Sequence, residues 1–325
     1  MNVFRILLIL LLILLALVLG LTALMFHGLF YKPKRSKKVP KSYQDTPHYK
    51  VSRAGMALMD HLPVEDHHIT SRDGLLLHAY LYPVEGERKK FLLGIHGYKS
   101  YARPEFGPYI AFYQAQGYSL LLPDLRAHGP SQGDYIGFGV LDRLDPVDWA
   151  KYLVETYGED VEILLHGVSM GAATVLAASG EGELPSQVRG ITADCGYASL
   201  KEEFSYQLKT SVHLPRFPFL PLLQGMAKRK LGYDFSEFSP IEQVKRAKVP
   251  ILFVQGGKDP MVPASMAREL YEACAAPKRL LLVEEAGHAE SICFAMREYE
   301  EALLQLLRGE LKGEAEEDVL SEQSV

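Results

Sequence analysis

Residues 163–174 read Ile-Leu-Leu-His-Gly-Val-Ser-Met-Gly-Ala-Ala-Thr. An apolar run leads into Gly167-x-Ser169-x-Gly171, and a run of small, helix-compatible residues follows it. That context marks a nucleophile elbow, a sharp strand-to-helix turn that presents a serine hydroxyl at its tip. The elbow residue takes a strained backbone, and bulky groups two positions to either side would collide with the turn.

Working outward, the chain alternates strand and helix signals. Strands are predicted at 66–72, 76–82, 91–96, 119–123, 162–168, 188–194, 250–255 and 279–284. Helices are predicted at 104–116, 141–157, 170–180, 263–275 and 289–308. Runs such as Phe91-Leu92-Leu93-Gly94-Ile95 and Ile251-Leu252-Phe253-Val254 are continuously apolar, as strands covered by helices on both faces require. Asp73-Gly74 between the first two strands is a hairpin signal. The expected fold class is α/β: a mostly parallel eight-stranded sheet that opens with an antiparallel pair and is flanked by helices.

More than fifty residues separate the strand ending near Asp194 from the one starting at Pro250, too many for a plain connection. The segment at about 199–248 carries Phe204, Leu208, Phe217, Phe219, Leu220, Leu222 and Leu223, punctuated by Pro215, Pro218 and Pro221. It is read as a small helical cap over the site; the alternative is a helical excursion packed elsewhere.

A serine hydroxyl needs a base within hydrogen-bond reach, and the base needs an orienting acid. In this kind of fold they follow in the order serine, acid, histidine. Asp259 stands in Gln-Gly-Gly-Lys-Asp-Pro-Met-Val-Pro after the run 250–254, on a loop at a strand's carboxyl end, where open α/β sheets bind ligands. His288 stands in Glu-Glu-Ala-Gly-His-Ala-Glu after Leu280-Leu281-Leu282-Val283, and its pKa suits proton transfer near neutrality. Asp194, at the end of the strand 188–194, is the rival acid. For the oxyanion hole the candidate donors are the backbone N–H groups of Met170, just after the nucleophile, and Tyr98, in the loop His96-Gly97-Tyr98-Lys99. The Tyr98 ring, Phe204, Leu208 and Phe217 are candidate substrate-binding groups. Arg126 and His128 are expected to brace the neighbouring loop rather than to react. His67-His68 is read as surface decoration.

The chain has 325 residues and a net charge of −5, which argues against a nucleic-acid binder. Its three cysteines, Cys195, Cys274 and Cys293, are too few for a disulfide framework, and no Cys/His spacing suggests zinc. From Ile6 to Tyr31 no charged residue occurs, a stretch longer than the roughly 20 residues needed to cross a bilayer. Residues 1–31 are read as an uncleaved single-pass anchor, with a cleaved signal peptide as the alternative. Arg5 flanks one end; Lys32, Lys34, Arg35, Lys37, Lys38 and Lys41 flank the other. The positive-inside rule then puts residues 63–308 in the cytoplasm, at the cell membrane. Residues 32–62 read as a linker and a leading helix, and the glutamate-rich residues 309–325 as a disordered acidic tail.

His96-Gly97-Tyr98, Asp124 to Asp134, Gly167 to Gly171, Gly256 to Pro263 and Ala286-Gly287-His288 together resemble the α/β-hydrolase superfamily over about residues 64–308. The pattern is most similar to its serine esterase and lipase-like branch, especially bacterial membrane-anchored hydrolases with a short cap. Ala127 stands where the family usually has glycine. The single-residue oxyanion loop after His96-Gly97 differs from the form with three glycines and disfavours bulky tertiary-alcohol esters. The resemblance implies ester hydrolysis through an acyl-enzyme on Ser169, His288 and Asp259, with no metal or organic cofactor and a small-molecule ester or lipid-like substrate. A thioesterase or protein deacylase would use the same three residues. So would a serine aminopeptidase, with Glu202 and Glu203 as candidates to hold a substrate ammonium. An inactive scaffold that binds a partner is the reading from another class.

Overall fold

The structure, a computed structural model, describes residues 3–32, 44–311 and 317–320. In chain order its elements are α1 (Val3–Phe30), α2 (Pro47–Met59), β1 (Glu65–Thr70), β2 (Leu76–Tyr82), β3 (Lys90–Ile95), α3 (Ala102–Phe106), α4 (Ile110–Ala115) and β4 (Ser119–Asp124). Then come α5 (Asp145–Tyr157), β5 (Glu162–Val168), α6 (Met170–Ser179), β6 (Val188–Asp194), α7 (Leu200–Thr210), α8 (Arg216–Leu231) and α9 (Pro240–Val244). β7 (Ile251–Gly256), α10 (Ala264–Ala273), β8 (Lys278–Val283), α11 (Ser291–Phe294), α12 (Met296–Leu307) and β9 (Glu317–Leu320) close the chain.

The strands form one sheet in the order β1-β2-β4-β3-β5-β6-β7-β8-β9. β1 pairs antiparallel with β2, and β2 antiparallel with β4; the remaining pairs are parallel. All eight expected strands are present. β4 and β7 are buried along their whole length, so their continuous apolar runs meet helices on both faces. Edge strand β1 alternates half-buried and exposed residues.

Four expectations need correction. The tail is not disordered throughout, because residues 317–320 add a ninth strand beside β8. Residues 312–316 and 321–325 lie outside the described residues, as do 33–43 of the linker with most of its basic cluster. The helix expected at 104–116 is broken by Gly107-Pro108 into α3, a 3₁₀ turn and α4. The helix expected at 289–308 is divided at Ala295, whose φ of −139° and ψ of 53° are not helical. His67 is not surface decoration: its Nδ1 lies 2.6 Å from the Tyr152 hydroxyl and ties β1 to α5, while His68 is exposed.

Among the described residues α1 is the one helix long and apolar enough to cross a membrane, with a mean hydropathy of 3.2 over its most apolar stretch. By length and composition it suits a membrane span or a signal sequence. Its carboxyl-terminal turns are docked on the domain. Thr22, Phe26 and Phe30 are buried, with Val18, Met25 and Leu29 half-buried beside them. This spacing of three and four residues is one helix face. Phe30 is fully enclosed among Phe26, Phe138, Phe204 and Phe235, with ring centroids 4.8 to 6.0 Å away. The Ile136 amide donates to the Phe30 carbonyl at 2.7 Å, and the Lys32 amide to the Asp134 carbonyl at 2.8 Å.

Truncating a buried phenylalanine costs about 3–5 kcal/mol. Phe30→Ala in the full chain, held in detergent, is therefore expected to lower the guanidinium unfolding midpoint by that equivalent. An unchanged midpoint would show that the end of α1 is no part of the core.

Candidate active site

Ser169 leaves β5 and opens α6 at φ 81° and ψ −112°. L-residues rarely occupy that region, so neighbouring groups must hold it there. The Ser169 amide donates to the Asp194 carbonyl at 2.8 Å, and its carbonyl accepts from Ala173 at 2.9 Å. Gly167 and Gly171 carry the close approach: a Cβ on Gly167 would overlap the Gly171 carbonyl, and one on Gly171 the Ile95 carbonyl.

Parallel pairing gathers the other parts. Ile95 at the end of β3 lies opposite Gly167, and Val168 opposite Asp194. Gly256 at the end of β7 lies opposite Val283 at the end of β8. The loops after β3, β5, β7 and β8 therefore leave the sheet on the same edge. There Ser169 Oγ is 2.9 Å from His288 Nε2, and His288 Nδ1 is 2.8 Å from Asp259 Oδ2. Asp259 Oδ1 accepts from the Met261 and Val262 amides at 2.8 and 2.9 Å, and Oδ2 also accepts from Gln255 Nε2 at 3.0 Å. These donors hold the carboxylate in place. A carboxylate at Nδ1 keeps that nitrogen protonated and leaves Nε2 to accept the serine proton. Burial works to lower the His288 pKa, but the hydrogen bond and charge of Asp259, with Asp194 and Glu105 behind it, raise it above the ordinary 6.5.

Asp194 does not reach His288. Its Oδ2 accepts from the hydroxyls of Tyr299 at 2.9 Å and Tyr109 at 3.2 Å, and burial pushes its carboxyl up to about 6. Cys195 Sγ lies 3.9 Å from His288 Nε2, and burial holds the thiol well above its usual range, so it stays neutral.

The loop after β3 is braced from behind. Gly97 donates to the buried Glu105 Oε2 at 3.1 Å, and Lys99 to His128 Nε2 at 3.2 Å. Among the described residues the Tyr98 amide between them has no such acceptor. The Met170 amide opens α6 and has no partner within the helix. Two uncommitted donors thus flank the serine. His96 accepts from the Leu125 amide at 2.9 Å, and its Nδ1 faces the Gly97 carbonyl at 2.8 Å. His128 Nδ1 faces the Arg126 carbonyl at 3.0 Å, and burial drives its pKa down to about 3, so the ring stays neutral. Arg126 pairs with Asp145 at 2.7 Å and Asp73 at 2.8 Å.

A cavity of about 270 Å³ reaches Ser169, Met170 and His288. Tyr98, Phe204 and Leu208 line it, with Phe138, Tyr197, Leu223 and Val262. Phe217 does not line it: the residue is 79% exposed and borders a separate surface cleft with Arg216 and Pro221. Pro218 disfavours helical backbone at Phe217, which is extended at φ −98° and ψ 132° and turned outward. Glu202 accepts from the hydroxyl of Ser199, the N-cap of α7, at 2.9 Å, whereas Glu203 lines the cavity. Sequence reasoning missed Glu105, and also Met25 and Leu29 of α1, which stand in the cavity wall. Glu105 gave one weak signal, the lone charge in the predicted helix 104–116; α1 gave none.

Residues 92–303 match the model of the alpha/beta hydrolase family. The Bacillus subtilis (strain 168) protein YqkD is 31% identical over 183 residues, which are 56% of this chain and 60% of YqkD. Mycobacterium tuberculosis (strain ATCC 25618 / H37Rv) protein Rv2307c is 27% identical over 173 residues, 53% of each chain. The chain thus spans between half and two thirds of the length of these curated relatives. Among solved structures, the Pyrococcus furiosus esterase Pf2001 shares the fold at 22% identity, with a TM-score of 0.65 over 86% of this chain and 98% of that one. By its match to the family model over residues 92–303, more than half of its length, the chain belongs to the alpha/beta hydrolase family.

Proposed function

We propose that the protein is a serine hydrolase that cleaves carboxylic esters, with Ser169 as nucleophile, His288 as general base and acid, and Asp259 as the orienting carboxylate. The observation that carries this reading is the unbroken hydrogen-bond chain from Ser169 Oγ through the imidazole to Asp259. His288 Nε2 takes the Ser169 proton as Oγ attacks the ester carbonyl. The amides of Met170 and Tyr98 receive the developing oxyanion, and the α6 amino terminus adds its dipole. His288 then protonates the leaving alkoxide, and the carbon–oxygen bond breaks to leave an ester on Ser169. Water, deprotonated by the same imidazole, releases the acid and restores the serine. This sequence uses no metal and no organic cofactor.

The largely apolar lining supports an acyl group of medium length as the occupant. The cavity volume is near the lower end of small-molecule sites. A second reading, the serine aminopeptidase, draws support from Glu203. This buried carboxyl stands in the cavity wall, and among the described residues its Oε2 has no partner. A fast p-nitrophenyl butyrate turnover with no release from aminoacyl p-nitroanilides favours the esterase; the reverse favours the aminopeptidase.

A fluorophosphonate probe is expected to label the parent and not Ser169→Ala. Labelling that persists in the variant would remove the proposal. Asp259→Asn is expected to lower kcat by about 10⁴, as loss of the orienting carboxylate does elsewhere. Asp194→Asn is expected to cost far less, because that side chain meets two tyrosines rather than the imidazole. Equal losses would return the acid's role to Asp194.

Only neutral His288 can accept the serine proton, so activity should fall as pH drops through its pKa. The raised pKa places the acid limb of kcat/KM above 6.5 in the parent. Asp259→Asn should move that limb to lower pH. A limb that stays put would mean that another group titrates.

A further inference from the structure

The end of α1 is built into the cavity. Met25 and Leu29 line it together with Ser169, His288, Phe204 and Leu208. The Tyr98 hydroxyl donates to the Leu29 carbonyl at 2.9 Å, and Lys99 Nζ to the Gly28 carbonyl at 2.7 Å. The loop that offers the Tyr98 amide thus also grips the last turn of the helix. Helix wall and oxyanion loop are one unit.

The position of that unit along α1 follows from length. The run from Val3 to Leu21 is exposed except for half-buried Val18. At a helical rise of about 1.5 Å per residue it is about 28 Å long, which matches a hydrocarbon core of about 30 Å, with Arg5 near its outer end reaching back to the headgroups. With that run in the bilayer, Thr22 marks the boundary, where burial against the domain begins. Met25 lies about 4.5 Å further along the axis and Leu29 about 10.5 Å. The cavity wall therefore stands at the headgroup layer and just beyond it. Val212 and Met261 line the cavity yet remain 46% and 45% exposed, so apolar groups also stand where it opens.

We infer that α1 is a working wall of the substrate pocket as well as an anchor, and that the substrate is a single-chain acyl amphiphile whose chain lies against Met25 and Leu29. The bilayer presents such a molecule with its chain in the hydrocarbon and its ester among the headgroups, level with the wall. This inference rests on the esterase reading of the same site. It goes beyond that reading in making the membrane helix a determinant of chain-length specificity.

The test uses the full chain in detergent micelles and a series of p-nitrophenyl esters from acetate to dodecanoate. Leu29→Trp, which adds bulk to the wall, is expected to lower kcat/KM for decanoate relative to butyrate by about tenfold, the scale on which pocket contacts discriminate chain length. Met25→Ala, which leaves the chain less to lie against, should lower the same ratio. Leu10→Trp, on the exposed run far from the cavity, should keep the parent profile. Fluorophosphonate labelling of Ser169 in each variant reports an intact site. If both wall variants label normally and keep the parent chain-length profile, the inference fails while the esterase reading stands. If the parent labels at no serine, the esterase reading itself has failed. A third measurement places the protein and 4-methylumbelliferyl palmitate in phosphatidylcholine vesicles, either together or in separate populations. Hydrolysis at least tenfold faster in the shared bilayer supports delivery from the membrane, and equal rates overturn it.

Discussion

The site depends on one backbone constraint. Ser169 must hold a left-handed φ between a buried strand and a buried helix, and nothing in its own side chain favours that conformation. Two features supply the restraint. The Asp194 carbonyl takes the Ser169 amide, and the two flanking glycines let α6 start hard against the end of β3. The close approach also puts the amide end of α6 beside the loop after β3. The proposed nucleophile and the proposed anion-binding donors are therefore products of the same tight turn.

Around this turn lies a shell of buried polar groups that do not line the cavity. His96, His128, Glu105 and Arg126 each hold part of the loops beside the serine. A buried polar group is costly unless paired, so these groups stabilise the loops only in one arrangement. The neutral state of His128 follows from that: a charged ring would face its burial without a carboxylate in contact. Asp194 belongs to the same class. Tyr109 and Tyr299 occupy one of its oxygens, and its backbone, not its carboxyl, serves the elbow.

Legibility in the sequence tracked how local each signal was. Strands buried on both faces announce themselves by continuous apolar runs, so β3, β4, β5 and β7 could be read directly. Ser169, Asp259 and His288 could be named because each follows such a run, and parallel pairing sends the ends of those runs to one edge. Phe217 shows the limit. An aromatic in an apolar segment looks like cap lining, but the prolines around it decide which way it faces. The helix breaks at Gly107-Pro108 and Ala295 depend on tertiary packing, and β9 depends on an edge that only the folded sheet provides.

The docking of α1 was illegible for a different reason. In an amphipathic helix the buried face contrasts with a polar one, and the contrast is the signal. Here almost every residue from Ile6 to Phe30 is apolar, so the face formed by Phe26 and Phe30 is indistinguishable from a face that meets lipid. The two environments differ in packing rather than polarity. A phenylalanine in lipid has fluid neighbours, whereas Phe30 sits in a fixed set of four rings. That fixed packing makes α1 rigid with respect to the pocket. A flexible tether would leave the pocket free to face any direction; a helix that continues into the core fixes its height and its tilt relative to whatever surrounds the rest of the helix.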